Sequence, residues 1–168
     1  MDSLPILAGK RILVTGAARG LGRDFAQAAA EAGAIVVMAD ILADLVQEEA
    51  EKLASIGLNT SAVRIDLSQK KSIQQAVQIA VSMLGGLDGL INCAALATGV
   101  GGVNMMEYDE TLWDSVMTVN VKGTWLVSQA CVPHLKASGQ GKIINISSDT
   151  ALWGAPKLMA YVASKGAI

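Results

Sequence analysis

Two side chains near the end of the chain can do chemistry together. Tyr161 and Lys165, in Tyr161-Val162-Ala163-Ser164-Lys165, are four residues apart, and that spacing puts both on one face of a helix. A free phenol ionises near pH 10, too high for a base at neutral pH. A lysine ammonium one turn away favours the phenolate. The pair therefore suits removal of a hydroxyl proton, the step that accompanies departure of hydride from an alcohol carbon. Taken singly, Tyr161 reads equally well as an amphipathic surface aromatic, and Lys165 as a solvated helix lysine.

Hydride needs an acceptor, and the other end of the chain offers a place for one. Thr15-Gly16-Ala17-Ala18-Arg19-Gly20-Leu21-Gly22 follows a short apolar run. Gly16 permits a sharp turn, Gly20 lets backbone approach a pyrophosphate, and Gly22 lets the following helix pack close to the strand. The helix start then presents unpaired N–H groups and a positive dipole end to phosphate. Small residues pack tight turns in many proteins, but this trio lies between a strand and a helix, as phosphate binding requires. Asp40 comes 18 residues after Gly22. A carboxylate there accepts hydrogen bonds from both ribose hydroxyls and repels a 2′-phosphate, which favours NAD over NADP. Arg19 argues the other way, since a cation in the loop can meet a 2′-phosphate. Asp40 outweighs it, because Ile41 supplies no second positive charge. Asp40 also reads as a helix N-cap, and the two roles are compatible.

These residues require elements to position them. Residues 10–16, 34–40, 61–66, 87–93 and 142–147 are short, continuous apolar runs that read as buried strands. Helical stretches fall at 20–33, closed by Gly33, and at 42–56. A third contains Ile73 to Leu84, with Ser68 as candidate cap and Gly85-Gly86 as its stop. A long helix is expected from about Asp109 into the 130s, with Pro133 kinking or ending it. A last helix starts near Lys157. Alternating strands and helices, with uniformly apolar strands, predict one α/β domain over 1–168: a doubly wound parallel sheet covered by helices on both faces. The loop Thr98 to Val103 follows a strand, so it lies on the ligand-binding edge or is plain surface loop.

Composition narrows the classes. The 168 residues are 52 % hydrophobic and 17 % charged with a net charge of −2, too apolar for disorder and without the basic patch of a nucleic-acid binder. The opening Met1 to Pro5 carries no leader signal, and no apolar run is long enough to span a bilayer. A cytoplasmic protein is expected. Cys93 and Cys131 form neither a disulfide framework nor a metal site and read as small core residues. His134, the lone histidine, is not expected to be catalytic. The charged runs 47–52 and 69–71 read as solvated helix faces.

Gly16-x3-Gly20-x-Gly22 with Tyr161-x3-Lys165 far downstream resembles the short-chain dehydrogenase/reductase family, over the chain from about Lys10 to its end. The family's acidic residue after the third strand, which meets adenine, corresponds to Asp66, followed by Leu67. Its Asn-Asn-Ala-Gly segment corresponds to Asn92-Cys93-Ala94-Ala95, where Cys93 and Ala95 depart from it. Its helix asparagine matches Asn120. Its serine, thirteen residues before the tyrosine, selects Ser148 over Ser147.

The resemblance implies a Rossmann-type oxidoreductase of secondary alcohols and ketones. Its catalytic set would be Asn120, Ser148, Tyr161 and Lys165, with Tyr161 as general acid/base. Ser148 would hold the substrate oxygen, Asn120 would hold a water of a proton relay, and Lys165 would also bind the nicotinamide ribose. The cofactor site would comprise Gly16, Arg19, Gly20, Leu21, Gly22, Asp40, Asp66, Leu67, Asn92, Ala94, Tyr161 and Lys165, holding NAD rather than NADP. No metal is expected. Trp153, Leu96 and Val100 are candidates for the substrate wall. Family members continue past the tyrosine helix with further strands and a substrate lid, so the chain is expected to be C-terminally incomplete, and a homodimer or homotetramer when complete. The rival expectations are a non-catalytic nucleotide-binding or interaction module, and an inactive fragment.

Overall fold

The computed structural model describes residues 5–168. Met1 to Leu4, read above for a leader and counted within the single domain, lie outside the described residues. The run at 10–16 forms β1 (Arg11–Thr15), in which Leu13 points into one apolar layer while Ile12 and Val14 point into the other. Burial of both faces is why the strand reads as unbroken apolar sequence. The same holds for β2 (Ile35–Asp40), with Val37 on one side and Val36 and Met38 on the other. With β3 (Thr60–Arg64), β4 (Gly89–Asn92) and β5 (Lys142–Asn145) they make one parallel sheet in the order β3-β2-β1-β4-β5. The chain reverses direction of travel across the sheet between β1 and β4, and that switch point opens a crevice at the C-terminal strand ends.

Helices α1 (Gly20–Glu31) and α2 (Ala43–Ser55) cover one face, contributing Ala26, Ala29, Val46 and Leu53. Helix α3 (Lys70–Leu84) and the later α5 (Thr124–Ala137) cover the other with Ile73, Val77, Val127 and Cys131. The predicted doubly wound sheet is therefore present. Arg11 ties β1 to the turn before β4: its side chain pairs with Asp88 at 2.7 Å and donates to the Gly85 carbonyl.

Three local expectations are corrected. Ser68 does not cap α3; its hydroxyl donates to Asp66 at 2.6 Å, and Gln69 takes the cap position. The long helix is not ended by Pro133. It runs as α4 (Glu110–Val116), a π-helical stretch (Met117–Gly123) and α5, which passes through Pro133 and stops at Ala137. The irregularity lies upstream of the proline. A helical turn, α6 (Thr150–Trp153), precedes the expected last helix, α7 (Met159–Gly166).

Candidate active site

The crevice at the switch point is a cleft of about 640 Å³, and many of its lining residues are ones the sequence singled out. At its floor the phosphate loop carries Gly16, Arg19, Gly20, Leu21 and Gly22. A Cβ on Gly22 would collide with the Gly16 carbonyl, so α1 sits as close to the loop as backbone allows. Gly20 has φ +58°, and the space its side chain would fill is open; a phosphate can approach there without a Cβ in the way. Helix α1 has no side-chain cap, which leaves its first N–H groups for an anion.

Asp40 ends β2 beside this loop and is 9 % exposed. One carboxylate oxygen accepts from Ala18 N and the other from Leu42 N, both at 3.0 Å. It therefore braces the phosphate loop and the start of α2 while facing the cleft; it is not itself the cap residue, which is Leu42. Asp66 and Leu67 line the next stretch, and one Asp66 oxygen accepts from Ser68 N at 2.9 Å. Thr15, buried at the tip of β1, accepts from Cys93 N and Ala94 N at 3.2 and 3.3 Å, holding the segment after β4 over the loop.

Asn92 departs from expectation: it does not line the cleft. Its amide donates to Ser128 Oγ and Asn145 Oδ1, both at 2.9 Å, so it braces β4 against β5 and α5. Cys93 is corrected in the opposite sense, for it is half-buried on the cleft wall rather than in the core. Burial pushes its thiol up, against the pull of Lys165. Cys131 is a core residue as expected, its thiol pushed up by burial to about 12.

Tyr161 and Lys165, on α7, also line the cleft, as does Ser148, between β5 and α6. The Lys165 ammonium is 5.8 Å from the Tyr161 ring centroid, within range of attraction to the ring face. Lys165 is 6 % exposed and donates to the Ile146 carbonyl at 2.6 Å. Burial lowers its pKa from the ordinary lysine value. Ser148 accepts from Thr150 Oγ1 at 2.9 Å, and Ser147 donates to the Lys165 carbonyl at 2.7 Å. Sequence reasoning set Ser147 aside; it anchors the end of the helix that bears the pair.

Asn120 lies in the π-helical stretch, 2 % exposed, outside the cleft lining. Its side chain is bonded to both backbone groups of Leu96 and to Ser164. Of the candidate wall residues, Leu96 lines the cleft. Val100 is instead packed with Val116 and Ala160, and Trp153 is 63 % exposed outside it. The Thr98 to Val103 loop divides accordingly: Thr98 faces the cleft, and Gly102 N donates to the Lys157 carbonyl at 2.9 Å. His134 stands apart, on α5. Among the described residues no cluster of metal-ligating side chains occurs, and no helix is long and apolar enough to cross a membrane.

Sheet order, switch-point cleft and glycine loop define a dinucleotide-binding fold of the Rossmann type. Residues 10–168 match the short chain dehydrogenase family, and the chain belongs to that family. It is 35 % identical over 162 residues to 2-(S)-hydroxypropyl-CoM dehydrogenase 3 of Xanthobacter autotrophicus, covering 96 % of this chain and 62 % of that protein. It is 34 % identical to 5-keto-D-gluconate 5-reductase of Escherichia coli K12, covering all of this chain and 65 % of that one. Trans-4-hydroxycyclohexanecarboxylate dehydrogenase of Sinomonas cyclohexanicum is 39 % identical over 165 residues, with 95 % and 62 % covered. The crystal structure of gox2181 superposes with a TM-score of 0.92 at 29 % identity, covering 96 % of this chain and 63 % of that one. The chain thus spans less than two thirds of the length of these relatives.

Proposed function

We propose that the chain supplies the dinucleotide site and the catalytic side chains of an oxidoreductase that moves hydride between NAD(H) and a secondary alcohol or ketone. The observation that carries this reading is one cleft lined both by the glycine loop, open at Gly20, and by Tyr161, Lys165 and Ser148. The residues fit such a cofactor. The Gly16–Gly22 loop and the uncapped start of α1 suit a pyrophosphate, Asp40 the adenosine ribose, Asp66 the adenine, and Lys165 the second ribose. Asp40 faces the cleft with Ile41 next to it, 54 % exposed, where a 2′-phosphate would need a cation. That supports NAD over NADP; Arg19 at the loop favours the phosphate.

The bound nicotinamide supplies hydride acceptance or donation. The protein's part is proton management and positioning. Tyr161 takes the hydroxyl proton of an alcohol, or returns it to a ketone oxygen, at its phenolic oxygen. The Lys165 ammonium near its ring stabilises the negative charge that forms there, in a site where burial strengthens the interaction. Ser148 offers a hydroxyl to the substrate oxygen. The relatives named above are dehydrogenases of hydroxy compounds and a reductase of a keto compound, in keeping with this substrate class. A cytoplasmic homodimer or homotetramer is the setting the family implies.

Replacing Tyr161 with Phe in the native protein tests the assignment. General acid–base catalysis is worth about 10²–10⁴-fold, so NADH production from a panel of secondary alcohols should fall by at least that much while NADH still binds. Retained turnover would remove Tyr161 from the role. Failure of the parent to bind either dinucleotide would remove the function.

A further inference from the structure

Between Tyr161 and Lys165 on α7 lies a third polar side chain, Ser164, which is 0 % exposed. We propose that Ser164 is a positioning residue for the reaction assigned above, acting through Asn120 to fix the height of α7 against the cleft wall at Leu96; the inference rests on that assignment. The hydrogen bonds admit a single direction. Asn120 Oδ1 accepts from Leu96 N at 2.7 Å, and Asn120 Nδ2 donates to the Leu96 carbonyl at 3.2 Å and to Ser164 Oγ at 3.0 Å. Both amide hydrogens are therefore spent. Ser164 must accept from Asn120, and its own hydrogen goes to the Tyr161 carbonyl at 2.8 Å. A hydroxyl is the smallest side-chain group that accepts and donates at once.

Asn120 lies in the π-helical stretch, and Thr124 Oγ1 donates to its carbonyl at 2.7 Å. Leu96 lines the cleft, and Tyr161 and Lys165 project into it from the helix that Ser164 anchors. The chain Leu96–Asn120–Ser164–Tyr161 therefore joins the cleft wall to the helix bearing the base, through side chains that are themselves buried. Removing Ser164 Oγ strands one Asn120 N–H in the interior and frees α7 to shift against Leu96.

Displacements of about 1 Å at a reacting centre cost on the order of 10²-fold in rate. In the native protein with NAD(H) and a secondary-alcohol substrate, Ser164→Ala should lower kcat at least tenfold. It should raise the primary deuterium isotope effect on kcat, because hydride transfer becomes rate-limiting, and leave the Kd for NADH within about threefold. An Asn120→Ala/Ser164→Ala double variant should lose little more than the worse single variant, since both cut one chain. Ser164→Cys keeps the side-chain size with weaker bonding and should recover part of the loss. If the alanine variant does not fold, the cysteine variant is read alone, with a kcat at least threefold below the parent expected. Parental kcat and isotope effect in the readable variant, or independent multiplying effects in the double variant, overturn the proposal. A parent that binds NADH but turns over no alcohol or ketone overturns the assigned function and this inference with it. An active parent matched by Ser164→Ala overturns only the inference.

Discussion

Asp40 combines a brace within the fold with the binding role proposed for it. Both its oxygens accept backbone N–H groups, one from the phosphate loop and one from the turn into α2, yet it remains on the cleft wall. Each oxygen retains a lone pair for a ribose hydroxyl. Asp40→Ala should therefore act twice. It leaves the N–H of buried Ala18 unpaired, a loss of about 1–3 kcal/mol in urea-denaturation stability, and it should raise the ratio of NADP to NAD affinity. A variant with unchanged urea midpoint would show that Ala18 finds another acceptor. Lys165 is likewise doubly bound: its ammonium is held by Ile146 and its carbonyl by Ser147. The lysine is fixed at both ends rather than waving from a helix surface.

Elements are held in register by contacts that the site itself does not use. The Arg11–Asp88 pair ties β1 to the turn that feeds β4, the two strands flanking the switch point. The Arg11 guanidinium, hydrogen-bonded to Asp88, pulls the Asp88 carboxyl from 3.8 down to about 2. A folded-state pKa below the unfolded value means the stabilisation is full above about pH 4 and is lost as the pH falls toward 2. At this partly exposed site it amounts to about 1–2 kcal/mol after screening. Urea midpoints of the parent and Asp88→Asn should differ at pH 7 and converge as the pH falls from about 4 to about 2. A gap that persists below about pH 2 would mean the pair contributes through shape rather than charge. The π-helical stretch belongs to this scale too. Gly123 within it leans on Leu67, where any Cβ would lie 2.8 Å from the Leu67 Cβ, so the cleft wall at Leu67 and the Asn120 region are packed together.

The molecule as a whole is an open sheet with helices on both faces and edge strands at β3 and β5. Among the described residues β5 pairs only with β4, and its Ile143 and Ile144 are 39 % and 52 % exposed. An unpaired apolar edge is a template for another strand. Expressed alone, the 168-residue chain should elute from gel filtration above its 17.4 kDa mass. Ile144→Lys should shift it toward the monomer, because an edge lysine opposes pairing. A sharp monomer peak for the parent would show that the edge is shielded in solution.

What the sequence determined was whatever is local. β1 and β2, buried on both faces, read as apolar runs, though the equally apolar run of β5, expected buried, is exposed; the glycine loop declares itself between strand and helix, and Tyr161 and Lys165 share a face because four residues of helix put them there. These sufficed for the fold class and for most of the cleft. The tertiary structure decided what depends on partners far along the chain: Asp40 on Ala18, Lys165 on Ile146, Asn120 on Leu96 and Ser164. It also gave the Asn92 amide to Ser128 and Asn145, put Val100 into packing and Trp153 on the surface, and ran the long helix through Pro133. Spacing along a chain fixes which neighbours share a face, but only the folded backbone sets which distant donor meets which acceptor. A buried polar group must take the partner the fold brings to it.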